Sequence, residues 1–316
     1  MIATPLLLDT VDDYLGPARE RFFGHGYSRI RYSISASNVV SDTVTPAVKT
    51  TATVHYPTDW SKKAGTDQRP HLSTIDGLLL GQLACEGAAG AIVGLSDDEI
   101  AASWIQSVRI RAAKSPDEDL ADLPITVTPQ RAMAVDATRT YDVQVGGMRL
   151  TYTLQHPAAS LANPEPPHRD RDTPTPAAIT DVHVDREQHT AQAVLTRGDT
   201  AELLPEAILG SRYQNSPAFV DGFVAALQLG QILLYELDHM SRADSNTLWM
   251  RNTVLIAAAP RKENADKRMP ISTHLDNQQK ITLAEKTWRT VDIVGELSGM
   301  SVRCSVAHQL PDSTTN

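Results

Sequence analysis

The sequence predicts an α+β protein built twice over, each half a curled antiparallel sheet wrapped on one long buried helix. Three observations predict it. Each half carries a long helix that is apolar on nearly every side and is followed by several consecutive strand-like segments. A set of landmarks recurs in the same order in both halves. A proline-rich stretch separates them. At 316 residues the chain exceeds the usual size of a single domain, so two domains fit its length.

The landmarks pair as follows. Ile75-Asp76-Gly77 matches Val220-Asp221-Gly222, and Trp104 matches Trp249, both at an offset of 145. Arg139-Thr140-x-Asp142 matches Arg289-Thr290-x-Asp292, and Gly147-Met148 matches Gly299-Met300. Four landmarks in one order point to an internal duplication. The break, "HPAASLANPEPPHRDRDTPTPA", has six prolines and alternating charges, which disfavour a helix or a central strand. The expected division is therefore 1–155 and 178–316, joined by a linker over 156–177.

The first half opens with "IRYSIS" and "TATVHYP", whose alternation and β-branched residues suit half-buried strands. "STIDGLLLGQLA" follows. Ser73 or Thr74 can cap a helix there, and Asp76 sits in its first turn, where a carboxylate suits the helix dipole. The residues after it are apolar almost all round, so this helix is enclosed. "WIQSVRIRA", "LPITVTP", "TYDVQVGG" and "MRLTYTLQH" then read as successive strands. The second half repeats the order with a helix over 218–237, then "LWMRNTVLIAA", "QKITLAEK", "RTVDIVGE" and "MSVRCSVAH". Helices are too few and strands too consecutive for a doubly wound parallel sheet. A sheet curled round one enclosed helix is the hot-dog architecture, and two copies in one chain make a double hot-dog.

Composition narrows the function. Apolar residues make up 41 %, enough for real cores, and the net charge is −9 with no long basic stripe. Nucleic acid and anionic membranes are thus not expected as partners. The two cysteines, Cys85 and Cys304, lie in apolar segments and are expected as buried thiols. "MIATPLLLDT" lacks the basic start of a signal peptide, and no apolar stretch is expected to reach bilayer length, so a soluble cytoplasmic protein is expected.

"VDDYLGPARERFFGHGYSRIRY" and "RPHLSTIDGLLLGQLA" resemble the AvrD (avirulence D) family over most of the chain. Those proteins are implicated in making syringolides from a β-ketoacyl chain and a pentulose. The double hot-dog plan is similar, more distantly, to the A-factor synthase family. Its members join a β-ketoacyl carrier-protein thioester to a hydroxyl of a triose phosphate. The helix here opens with Asp76-Gly77 rather than the Pro-Gly common in hot-dog helices.

Acyl transfer to an alcohol needs a base, donors for the carbonyl oxygen and an apolar slot. A buried helix N-terminus supplies free N–H groups and a favourable dipole. Gly77 and Gly222 stand where a backbone comes close to a ligand. His71, just before the helix, is the sharpest candidate base, histidine being the side chain that titrates near neutrality; the plain alternative is a ring bonded to a backbone carbonyl. Asp76 and Asp221 are the equivalent acids, or simply helix caps. By analogy with hot-dog dehydratases, His71 would face Asp221 or Gln228 across the two halves. Gln82 and Gln228, polar within apolar helices, need hydrogen-bond partners. Glu86 and Glu236 are read as helix-end residues reaching solvent. Arg109, replaced by Val254 in the second half, suits a phosphate or carboxylate, with Arg69 assisting; otherwise Arg109 and Arg111 are solvated arginines on alternate strand positions. Trp104 and Trp249 are expected in the core.

The sequence has no HExxH, no metal-spaced Cys/His cluster, no glycine-rich phosphate loop and no Gly-x-Ser-x-Gly elbow. No metal and no cofactor is expected. The leading expectation is an acyltransferase condensing a β-ketoacyl thioester, on acyl carrier protein or coenzyme A, with a ketose or ketose phosphate, and then giving a butenolide. A hot-dog thioesterase or dehydratase and a non-catalytic lipid or lactone binder are the alternatives; a homodimer is left open.

Overall fold

A computed structural model of the chain describes residues 4–40, 45–63, 66–130, 137–156, 177–196, 198, 207–213, 219–243, 245, 248–260 and 268–311. The expected linker over 156–177 falls outside them except at its two ends. The first half contains β1 (Leu6–Thr10), the short helix α1 (Asp12–Leu15), β2 (Arg31–Ile34), β3 (Asn38–Val40), β4 (Ala47–His55), the two-residue strands β5 (Lys62–Lys63) and β6 (Thr66–Asp67), α2 (Thr74–Ala88), α3 (Asp97–Ala102), β7 (Trp104–Arg111), β8 (Leu123–Pro129), β9 (Thr138–Val145) and β10 (Met148–Gln155). The second contains β11 (Ala178–Asp185), β12 (Thr190–Thr196), α4 (Phe219–Asp238), β13 (Trp249–Ala257), β14 (Arg268–Leu283), β15 (Lys286–Leu297) and β16 (Met300–Gln309).

Apart from β5 and β6, these strands form one large antiparallel sheet. Its order is β1-β11-β12-β14-β15-β16-β13-β7-β10-β9-β8-β4-β2, with β3 added on β4. The halves meet where β7 pairs with β13. Outward from that pair the order is β10, β9, β8, β4, β2 on one side and β16, β15, β14, β12, β11 on the other. Arg109 lies directly opposite Val254 in the register, and the same two positions are related by the sequence offset of 145. The duplication therefore has a local two-fold axis through that pair. β1 departs from the symmetry: it comes from the chain's start but pairs with β11 of the second half.

Each long helix packs on its own half-sheet. α2 lies against β4, β7, β8, β9 and β10, and α4 against β12, β14, β15 and β16. The strands alternate as one-sided burial requires. In β10, Leu150, Tyr152 and Leu154 are buried while Arg149 is exposed; in β15, Val291, Ile293 and Leu297 are buried. The helix–sheet contact is tight at one repeated point. A Cβ on Gly77 would lie 2.9 Å from the Met148 sulfur, and one on Gly222 would strike the sulfur of Met300. Both glycines thus make room for a methionine that opens the last strand of their half, rather than for an open ligand channel.

Two expectations need correction. Thr74–Val93 and Phe219–Asp238 are each long and apolar enough to cross a membrane. Most of each window is buried inside the fold. Trp249 is 43 % exposed at the start of β13, not in the core, because it precedes the strand's buried alternation. Cys85 and Cys304 are both free and buried.

Candidate functional site

The sequence places a capping box at the start of α2. Ser73 Oγ accepts from the Asp76 amide (3.2 Å), and the Asp76 carboxylate accepts from the Ser73 amide (2.7 Å). Asp76 is fully buried, yet it is well satisfied. Tyr32 Oη donates to it at 2.8 Å, and the Tyr56 hydroxyl donates to its other oxygen. Burial pushes the carboxyl up, and the hydrogen bonds from Tyr56, Ser73 and Tyr32 pull it back. Burial, then the Asp76 charge, raises both tyrosines. Asp76 is therefore a cap that also fixes two phenols.

His71 stands half-buried at the mouth of this cluster. Its carbonyl lies 3.0 Å from the Tyr56 hydroxyl, its Nδ1 is 3.2 Å from the Arg69 carbonyl, and its ring meets Trp60 edge-on at 6.1 Å. Arg69 itself is exposed and paired with Glu118 at 2.8 Å. Ring contacts lead on from Trp60 to Phe22 (5.2 Å), Phe23 (5.0 Å) and Phe223 of α4 (6.3 Å). Each such pair contributes about 0.5–1.5 kcal/mol beyond its buried area.

The start of α4 is more closed. Asp221 is buried, and its charge, after burial, raises the Tyr27 hydroxyl. One and a half to two turns further on, Gln228 accepts from the buried Arg21 guanidinium at 2.6 Å. Arg21 also bonds the Gly16 carbonyl and is ion-paired to Asp12. Gln228 thus anchors the 11–30 segment across α4. His71 neighbours Tyr56 and Trp60, while Asp221 acts on Tyr27. Gln82 is half-buried on α2. Arg109 is exposed on the outer face of β7, because the alternate residues Val108 and Ile110 face α2. It does not meet the helix N-termini.

Glu86 and Glu236 do not simply reach solvent. Glu86 accepts from the Ile208 and Leu209 amides at 2.9 and 2.8 Å, and burial raises its pKa. Glu236 accepts from Tyr14 Oη at 2.6 Å and pairs with Arg186. Each holds a segment of the opposite half against its helix.

Two buried histidine clusters were not read from sequence. His156 has Ser103 Oγ 2.8 Å from Nδ1 and Tyr141 Oη 3.0 Å from Nε2; burial, aided by Arg139, pulls it down to about 4. His308 lies 3.0 Å from Asp238, which Arg289 also grips with its fork. Burial pushes Asp238 up, but His308 and Arg289 outweigh it and hold it down to about 2. The signal was present: His156 and His308 follow Met148 and Met300 at the same spacing in the two matched segments. Among the described residues no group of three or more His, Cys, Asp or Glu could hold a metal.

A family model described as Pseudomonas avirulence D protein (AvrD) matches residues 6–311. No curated protein matches the chain. Similar solved structures include a putative oleoyl thioesterase from Lactobacillus plantarum, with a TM-score of 0.44 and 10 % identity over 90 % of this chain and 99 % of that one. They also include the dehydratase domain of RzxB from Pseudomonas fluorescens (TM-score 0.41, 13 % identity, 86 % of this chain and 97 % of that one). Acyl-CoA thioesterase II TesB2 from Mycobacterium marinum is similar too (TM-score 0.37, 12 % identity, 88 % of this chain and 97 % of that one).

Proposed function

Since the chain belongs to the AvrD family, we propose that it is a biosynthetic enzyme acting on acyl thioesters. The fold is read as a double hot-dog, with the acyl chain lying along a helix between the half-sheets. The substrate is a β-ketoacyl thioester, and the acceptor is a hydroxyl of a ketose or ketose phosphate. The observation that carries the reading is the family match over residues 6–311.

The start of α2 is the site that best fits this chemistry. Its first-turn amides, those of Thr74 and Ile75, lie where helix N–H groups have no intrahelical partner and can meet a developing oxyanion. His71 is half-buried beside them, open to substrate, and takes the hydroxyl proton. Asp76 touches no substrate in this reading; it positions Tyr56 next to His71. In the transfer, the hydroxyl oxygen joins the acyl carbon, the C–S bond breaks, and the proton passes to the carrier thiol. Closure then joins the acidic carbon between the two carbonyls to the ketose carbonyl carbon, and loss of water gives the butenolide.

Mass spectrometry on purified protein given a 3-oxoacyl thioester, with and without xylulose 5-phosphate or dihydroxyacetone phosphate, tests this. An ester or butenolide mass that requires the ketose is expected. Free acid or enoyl product without a ketose would make the protein a thioesterase or dehydratase, and an unchanged, retained thioester would make it a binding protein.

A further inference from the structure

The outer face of the sheet differs sharply across the two-fold axis. On the first-half side, Arg109 and Arg111 project from β7 and Arg149 from β10, all exposed. Arg111 and Arg149 lie directly opposite each other in the antiparallel register. Like charges so placed destabilise a sheet. Among the described residues none of the three has an ion pair. The nearby carboxylates are engaged elsewhere: Asp117 accepts the Gly147 amide, Glu118 pairs with Arg69, and Asp142 accepts from Gln130 and Thr151. Exposed Arg251 adjoins the same corner, where its carbonyl accepts from the Ala112 amide, and Lys114 is exposed two residues on. In a chain of net charge −9 this is a concentrated positive patch. The equivalent second-half positions hold Val254, Ile256 and Ser301, with Ile256 51 % exposed.

We propose that this face, Arg109, Arg111 and Arg149 with the adjoining Ile256, docks an acidic acyl carrier protein. The inference rests on the acyl-thioester reading and names the carrier within it. A partner with a negatively charged helix and an apolar residue matches a basic patch bordered by an exposed isoleucine. Placement fits as well. Arg111 and Arg149 lie at the strand ends where Met148 packs on Gly77, in the first turn of α2. A docked carrier would therefore stand across the sheet from that helix start, at the same end of the strands. Its prosthetic arm can pass round the loop bearing Asp117 and Glu118 to His71. The patch also explains why Arg109 is present without touching the helix N-termini.

The test titrates a fluorescent, acidic 3-oxoacyl carrier protein with the full chain. Three forms are compared: unaltered, Arg109→Glu/Arg111→Glu/Arg149→Glu, and the triple Arg→Lys variant, with thermal melts to confirm folding. Charge reversal is expected to weaken binding at least tenfold, the lysine variant to retain most of it, and salt near 0.5 M, where the screening length is roughly 4 Å, to weaken the unaltered protein. Turnover of the same acyl group on coenzyme A is followed in parallel and is expected to be the same in all three. Equal carrier binding by the charge-reversed form, or no carrier binding by the unaltered protein, overturns the docking surface. Patch-dependent binding of anionic phospholipid vesicles without carrier binding overturns it in favour of a lipid surface. Carrier binding without turnover of either thioester would uphold the surface and overturn the enzymatic reading instead.

Discussion

The two halves repeat their packing but not their polar chemistry. Gly77 against Met148 recurs as Gly222 against Met300, and α4 lies on four strands equivalent to four of the five under α2. The polar groups diverge. Asp76 is tied by Tyr32, Tyr56 and Ser73, whereas Asp221 is buried and acts on Tyr27. His156 is neutral between a serine and a tyrosine, while its counterpart His308 joins an arginine on Asp238. The outer face carries Arg109, Arg111 and Arg149 on one side of the axis, where the other has Val254, Ile256 and Ser301 beside an Arg303 paired with Asp276 and Asp292. Duplication fixes the core, and once the core is secured each copy can change its polar residues separately.

The largest stability effect should break the comparison at Arg289. Its side chain is 10 % exposed and that of Asp238 3 %, so Arg289→Ala leaves a buried carboxylate with His308 alone and should cost about 3 kcal/mol in denaturant unfolding. Arg139→Ala, at the equivalent position of the first half, should stay within about 0.5 kcal/mol. Equal losses would mean the two ends are built alike. Next come the glycines. Gly77→Ala and Gly222→Ala should each cost about 1–3 kcal/mol by forcing a methionine to move, and a loss at one site alone would undo the packing equivalence.

The smallest effect is in acid. His156 binds its proton near pH 4 when folded and near pH 6.5 when unfolded, so the unfolded chain protonates first and stability falls as pH drops through that window. His156→Gln should flatten this limb of a melting-temperature profile. The second half answers at lower pH. Asp238 is held down to about 2, so its contribution is present above the ordinary carboxylate value and is lost as pH falls from about 4 towards 2. A limb near pH 5 that survives the histidine substitution would contradict the assignment.

Much of the fold was legible in sequence because burial imposes periodicity. The all-round apolar runs of α2 and α4 and the alternation of β7 to β10 declared themselves, as did the Ser73–Asp76 cap. β1, β11 and β12 were missed: β1 is short and pairs across the halves, which no local pattern records. The first part of β14 was missed because Pro270 argues against a strand, although "MPISTHLD" alternates cleanly. The site was legible only in part. Asp76 could be found from capping chemistry, but its phenol partners, Tyr32 and Tyr56, are 44 and 20 residues away. The Arg21–Gln228 contact spans 207 residues, beyond any local reading. Arg109 stands out in the sequence by its asymmetry with Val254, but strand alternation alone does not say which face it occupies.

The central claim is that the chemistry belongs to the start of α2 while the start of α4 is packing. The most direct measurement compares ketose-dependent product formation from a 3-oxoacyl thioester by His71→Ala and Asp221→Asn, with both variants checked for folding. Loss of the proton-transfer group should slow His71→Ala by about 10²–10⁴-fold, while folded Asp221→Asn should remain within a few-fold of the unaltered protein. An equal collapse in Asp221→Asn would contradict the claim and place the reaction between the two helices.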